Sequence, residues 1–231
     1  QAPITVEPGT PGEERWLRLE LKVLADVGLL GFPNAGKSTF LATVTSARPK
    51  IGNYPFTTIH PQLGVAAIDE AEFVIADLPG LIEGAHEGVG LGDRFLGHAE
   101  RCSVLLHLVD GGMPASEIAQ AYVTVRREIE AYGQGLENKL EVLVLNKADL
   151  MSSGDVERKR RALAEVSGVN AMMMSGELGE GINEVLREIA LALAYHRRDN
   201  PESFRSDPDG VRQLERKDDT EGLPTDRGWT P

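Results

Sequence analysis

From residue 16 the chain alternates apolar and polar positions (WLRLELKV), then enters a continuous apolar stretch, VGLL, that ends at Gly31. Alternation predicts a half-buried strand and the unbroken run a strand covered on both faces, with a helix over 37–45 directly behind it. Residues 62–68 and 72–76 are strand-like runs on either side of Asp69 and Glu70, which predicts a hairpin. Residues 103–109 and 140–145 (LEVLVL) read as buried strands, and 169–174 as a final one. Helical spacing marks 118–132, 156–166 and 182–195. Short strands interleaved with amphipathic helices predict the α/β class, as a six-stranded, mostly parallel sheet with helices on both faces.

The pattern fails at both ends. Residues 1–15 hold three prolines and two glycines and read as a linker. A start at Gln1 inside such a stretch leads us to expect a domain from a longer protein. Past His196, residues 197–231 carry nine acidic and seven basic residues with few apolar ones. Such a segment buries too little surface to offset its ordering entropy. The expected organisation is a linker over 1–15, one domain over 16–197 and a disordered tail over 198–231.

Composition narrows the class further. Hydrophobic residues are 41% and charged residues 26% of the 231, the balance of a soluble globular domain. Cys102, the single cysteine, excludes an internal disulfide framework and fits a reducing compartment, so a cytoplasmic location is expected. The longest apolar runs fall far short of the roughly 20 residues that span a bilayer, and no signal-peptide pattern opens the chain. A net charge of −12 argues against broad attraction to DNA.

Three motifs carry the chemistry. GFPNAGKST, residues 31–39, satisfies G-x-x-x-x-G-K-[ST] between a buried strand and a helix. Its glycines let the backbone curl, so that N–H groups and the helix N-terminus face phosphate oxygens. Gly31, Phe32, Pro33, Asn34, Ala35, Gly36, Lys37 and Ser38 are therefore the candidate phosphate cradle. Lys37 would bring a positive charge to the β- and γ-phosphates, and the Ser38 hydroxyl would ligate Mg²⁺. Asp77, Leu78, Pro79 and Gly80 (DLPG) follow the strand-like run EFVIA. By itself D-x-P-G is a common turn. Forty residues after the phosphate-loop lysine, Asp77 suits a carboxylate holding the metal through water, and the Gly80 amide suits a γ-phosphate contact.

Asn146, Lys147, Ala148 and Asp149 (NKAD) come straight after LEVLVL. The Asp149 carboxylate can accept from guanine's N1–H and 2-amino group together, a pair of donors that adenine lacks. Polar pairing of this kind discriminates by as much as ~10⁴-fold. A helix N-cap aspartate is the plainer alternative. Ser175, Gly176 and Glu177, after the last strand, suit a loop whose amides reach the guanine carbonyl, though Ser-Gly also marks ordinary turns. Thr58, in YPFTT, suits a residue that caps Mg²⁺ while GTP is bound; a strand threonine is the alternative. Residues 80–92 contain five glycines, which suits a segment that orders and disorders.

Lys37, Asn34, Thr58 and Gly80 are the candidates for catalysis. Many GTPases place a glutamine after DxxG to orient the attacking water, but this chain has Leu81, so slow intrinsic hydrolysis is expected. The Asn34 carbonyl is a candidate to hold a monovalent cation such as K⁺; bracing the loop is the other reading. His60, His86 and His98 lack partners at zinc spacing, and Met172, Met173 and Met174 read as core.

With these residues assembled, the sequence closely resembles the Obg family of bacterial GTPases. The likeness runs over 14–197, through WLRLELKVLADVGLLGFPNAGKSTFL, RPKIGNYPFTTIHPQLGV, DLPGLIEGAHEGVGLGDRFLGHAERC and NKAD. It implies a Ras-like P-loop G domain with one antiparallel strand at the hairpin. Phe56, Thr57, Thr58, Ile59 and His60 would form the first switch, with Thr58 joining Ser38 on Mg²⁺, and 80–93 the second. It also implies a role in late assembly of the large ribosomal subunit and in growth and stress control. Family members carry a glycine-rich N-terminal domain that this sequence lacks. Their last motif usually reads Ser-Ala where this chain has Ser175 and Gly176, which predicts a looser loop. Two functions follow: a monomeric GTPase switch acting on a ribosomal partner, or a sensor whose occupancy by GTP, GDP or an alarmone matters more than turnover.

Overall fold

The computed structural model describes residues 12, 25–45, 50–51, 62–78, 99–133 and 135–199. The elements in chain order are β1 (Ala25–Leu30), α1 (Lys37–Val44), β2 (Lys50–Ile51), β3 (Gln62–Ile68) and β4 (Ala71–Asp77). They continue with β5 (Cys102–Asp110), α2 (Ala115–Tyr132), β6 (Leu140–Asn146), α3 (Ser153–Ser167), β7 (Met172–Met173) and α4 (Ile182–Asp199). The strands form one sheet in the order β2-β3-β4-β1-β5-β6-β7. β1 pairs in parallel with both β4 and β5, and β6 continues the parallel array towards β7. Among the described strands, only β3 runs against its neighbours. It turns back through Asp69, whose left-handed φ of 51° suits a two-residue hairpin loop.

Strands are present at five of the expected runs and over 25–30 of the first, whose alternating stretch 16–23 lies outside the described residues. The two-residue β2 adds a seventh at the edge, too short to leave a periodic signal. Helix α3 starts three residues earlier than its apolar spacing indicates, because Ser152 caps it: the Ser152 hydroxyl accepts from the Asp155 N–H. The last strand is shorter than expected, since only Met172 and Met173 pair with β6. Helix α4 continues through Asp199, two residues into the segment expected to be tail. His196, Arg197 and Arg198 occupy its last turn, where positive charge is favoured by the helix dipole, and the Arg198 guanidinium lies 5.3 Å from the Tyr195 ring centre. The linker at 1–15 and the tail from residue 200 lie outside the described residues, apart from Gly12.

Alternate residues of the central strands feed two cores. Val27, Leu29, Val104, Leu106 and Val144 pack under Phe40 and Leu41 of α1 and Val185 and Ile189 of α4. On the opposite face Leu30 and Leu105 pack under Val125 and Ile129 of α2. Farther along that face, Val109, Leu143 and Leu145 meet Ile118 of α2 and Leu163 of α3. Phe40 and Leu41 are fully buried, and burial of such side chains contributes about 1.5–3 kcal/mol each, which anchors α1 and the loop before it. One polar cluster interrupts the α2 face. His107 of β5 is 2.7 Å from the Glu141 carboxylate of β6, and Arg126 of α2 donates to the same carboxylate at 3.1 Å. The His107 ring stacks on Tyr122 with centres 5.1 Å apart. No helix among the described residues is long and apolar enough to cross a membrane.

The register brings the carboxyl ends of four strands to one edge of the sheet. Leu29 lies beside Asp77, Leu30 beside His107, and Asp110 beside Asn146. Ligand crevices of open α/β sheets form outside this edge.

Candidate functional site

The loop 31–36 leaves β1 and curls into α1. Gly31 has φ 140°, and a Cβ built there would sit 2.3 Å from the Leu108 carbonyl oxygen. Gly36 has φ 95°, and its Cβ would lie 2.2 Å from the Asn146 amide nitrogen. Both positions need glycine sterically as well as conformationally. Asn34 adopts φ 64° on the exposed rim of the curl. The first intrahelical bond runs from the Phe40 N–H to the Gly36 carbonyl, so the leading amides of α1 and its dipole form the floor of a ready anion site. Lys37 Nζ donates to the carbonyls of Gly31 at 2.8 Å and Phe32 at 3.1 Å, which keeps the ammonium at the mouth of the loop.

Asp77 ends β4 beside this loop and is 6% exposed. Its Oδ2 accepts from the Ser38 hydroxyl at 2.6 Å, while Oδ1 has no hydrogen-bond partner among the described residues. A buried carboxylate oxygen left without a donor is costly. Hydrated Mg²⁺ beside the Ser38 hydroxyl would satisfy it, so the residues present fit that ion.

The other end of the site is cross-bonded. Asn146, 2% exposed, donates from Nδ2 to the Ala35 carbonyl at 2.8 Å and accepts at Oδ1 from the Gly176 N–H at 3.1 Å. One side chain thus fastens the phosphate loop, β6 and the 175–177 turn together. Lys147 takes a left-handed φ of 61° and pairs with Asp110 at 2.7 Å. Asp149 follows in a short 3₁₀ turn, Ala148–Leu150, and accepts the Ser175 hydroxyl at 2.6 Å. Ser175 is itself fully buried. A cleft of about 250 Å³ opens between Gly36, Thr39, Asn146, Lys147, Asp149, Leu150, Gly176 and Glu177.

The structure therefore gathers residues 31–38, Asp77, the 146–149 segment and the 175–177 turn around one cleft edge, and it revises three roles. The Leu78 side chain is in the core, facing Gly28 and only 1% exposed, because an apolar residue leaving a central strand is drawn inward. Ala35 is also buried, which leaves unchanged the backbone role expected of it. Ser175 reaches the cleft through Asp149 rather than directly. The Gly176 amide, expected to face a base, is already given to Asn146. Phe56, Thr57, Thr58, Ile59, His60, Pro79, Gly80 and the 80–93 segment lie outside the described residues. Sequence reading missed Thr39 and Leu150, which line the cleft, and Asp110. A carboxylate at the end of a buried strand, followed by two glycines, was the available signal for Asp110.

Residues 26–147, more than half of the chain, match the family described as 50S ribosome-binding GTPase. The chain belongs to this family. It is 56% identical over 189 residues to GTPase Obg of Acidiphilium cryptum (strain JF-5), an alignment covering 81% of this chain and 56% of that protein. The chain thus spans about half the length of that relative, and it is consistent with an Obg-type G domain. Its fold is shared with an NFeoB mutant of S. thermophilus bound to GDP, at 20% identity and a TM-score of 0.56, covering 73% of this chain and 63% of that one. The cytosolic domain of L. pneumophila FeoB gives 20% identity and a TM-score of 0.52, covering 72% and 62%. The sheet with its single antiparallel strand is that of a P-loop G domain.

Proposed function

We propose that this domain binds GTP with Mg²⁺, hydrolyses it slowly and uses the nucleotide as a conformational switch. One observation supports this most directly. A carboxylate, Asp149, stands in the same cleft as a phosphate loop, and Asn146 bonds the two parts into one unit. Lys37, the leading amides of α1 and the loop backbone would take the phosphates. Ser38, Asp77 through water and Thr58 would hold Mg²⁺, which when bound neutralises phosphate charge. Asp149 would read the purine edge, with the base lying along Lys147. Asn34 would offer its side-chain carbonyl to K⁺. Equilibrium binding in Mg²⁺ tests the reading: GTP and GDP should bind on the order of 10³-fold more tightly than ATP, and equal affinities would sink it.

The family description supports a partner in the large ribosomal subunit, and we propose a monomeric cytoplasmic switch that acts on that subunit in its assembly and in growth and stress control. Co-sedimentation with large-subunit particles should depend on whether GTP or GDP is bound. Leu81 favours a second reading, a sensor of GTP, GDP or an alarmone. Single-turnover hydrolysis separates the two: strong stimulation by the particles and K⁺ supports the switch, and none supports the sensor.

A further inference from the structure

The turn at residues 110–113 lies outside every sequence motif, yet it is bonded to the base-reading segment at two points. The Gly111 N–H donates to the Asn146 carbonyl at 2.8 Å. Asp110 Oδ2 accepts from Lys147 Nζ at 2.7 Å, while Oδ1 accepts the Gly112 N–H at 2.8 Å. A single carboxylate thus closes the turn and holds the lysine. From the other side comes Lys159 of α3, buried at 8% exposure, whose ammonium donates to the Gly111 carbonyl at 2.6 Å. Burying an ammonium is unfavourable unless it is well bonded, so this acceptor matters. The fit is tight: a Cβ at Gly111 would lie 2.3 Å from the Asn146 carbonyl oxygen and 2.8 Å from the Met151 methyl.

Lys147 needs support of this kind. Its φ of 61° is a conformation that residues other than glycine keep only when their surroundings hold it. The 3₁₀ turn carrying Asp149 begins at the next residue. A relaxation of Lys147 to negative φ would swing that turn and re-aim the Asp149 carboxylate.

We propose that Asp110 and Lys159 are positioning residues for base recognition. Together they clamp the 110–113 turn between α3 and the 146–149 segment, and so set the aim of Asp149 at a purine's N1–H and 2-amino group. The proposal rests on the guanine reading given above.

The test measures Kd for GDP, IDP and ADP in Mg²⁺ by competition with a fluorescent GDP, using the full chain and its Asp110→Asn and Lys159→Met variants. Inosine lacks the 2-amino group, so the preference for GDP over IDP reports the aim of Asp149. Each substitution should reduce that preference about five- to tenfold, the size of one net hydrogen bond. A merely structural role would weaken all three nucleotides by one common factor and leave the ratio unmoved, which overturns the proposal. If Lys159→Met fails to fold, Asp110→Asn decides alone, and an unchanged ratio there overturns it equally. A wild-type chain that does not prefer GDP to ADP would overturn the guanine reading itself, a separate result.

Discussion

The two ends of the cleft are built differently. At the phosphate end, groups keep open valences or short-range partners. Asp77 Oδ1 has no partner among the described residues, and Lys37 donates to the Gly31 and Phe32 carbonyls of its own loop. At the base end, polar groups are spent on one another: Asn146 with Ala35 and Gly176, Lys147 with Asp110, Asp149 with Ser175. The first arrangement can exchange partners when a charged ligand and its ion arrive. The second is fixed in advance, and under the proposed function it would reject a wrong base because its donors and acceptors are already paired. On the proposed reading, affinity and selectivity belong to opposite ends of one cleft.

The largest effect expected from this division is at Lys37. Lys37→Met should weaken GTP binding about 10²- to 10³-fold, the size of lost charge-assisted bonds, with its preference for guanine over adenine intact. A changed base preference would break the division. Next comes Asp149→Asn. It should cost about 10²-fold in GTP affinity and turn the preference towards XTP, since xanthine presents an acceptor where guanine has the 2-amino donor. Titration with both nucleotides reads it, and an unaltered order of preference would contradict the role of Asp149.

Asn146→Ala removes both fastenings and leaves the Ala35 carbonyl and the Gly176 N–H without their partner. Chemical denaturation without nucleotide should show a loss of about 2–3 kcal/mol. Little loss would mean that the base end is not preorganised by this residue.

The His107–Glu141 cluster serves as a control away from the cleft. Burial alone would raise the Glu141 pKa. The hydrogen bond from His107, and the charges of His107 and Arg126, outweigh it and hold the carboxyl below its ordinary 4.5. A depressed folded-state pKa gives stability that is complete above the unfolded value and lost as pH falls through the folded one. Stability from this group should therefore decline below about pH 4.5. Glu141→Gln should flatten that acid limb in denaturation curves while leaving nucleotide affinity within about twofold.

The smallest effect concerns Gly176. The sequence predicts a looser loop there, yet an added Cβ would find only ordinary contacts at 3.6 Å or more. Gly176→Ala should therefore stabilise the domain by about 0.4–1 kcal/mol through the unfolded chain, visible as a small rise in Tm. A fall would mean that the turn needs glycine after all.

Much of this was legible where structure is local. The phosphate loop could be read because strand, curl and helix are contiguous, and the succession of strands along the chain follows from runs of apolar residues, though their order in the sheet does not. The fastenings could not be read. Asn146 and Ala35 are 111 residues apart, and nothing in NKAD says that its asparagine is bonded at both ends of its amide. Ser175 could be placed near the base but not recognised as a buried support for Asp149, since burial is a property of the assembled sheet. The start of α3 lies ahead of its apolar spacing because the Ser152 cap, not a buried side chain, sets it.

Gly31 abuts the Leu108 carbonyl across the strand gap, with no room for a methyl group. Its restriction is set by the neighbouring main chain, so it applies before any nucleotide is present. A library randomised at position 31 and screened only for well-folded protein should already return glycine, whereas position 34, on the open rim at φ 64°, should return glycine, asparagine and aspartate and narrow further only when screened for turnover. The two positions belong to one motif, but different pressures would keep them as they are.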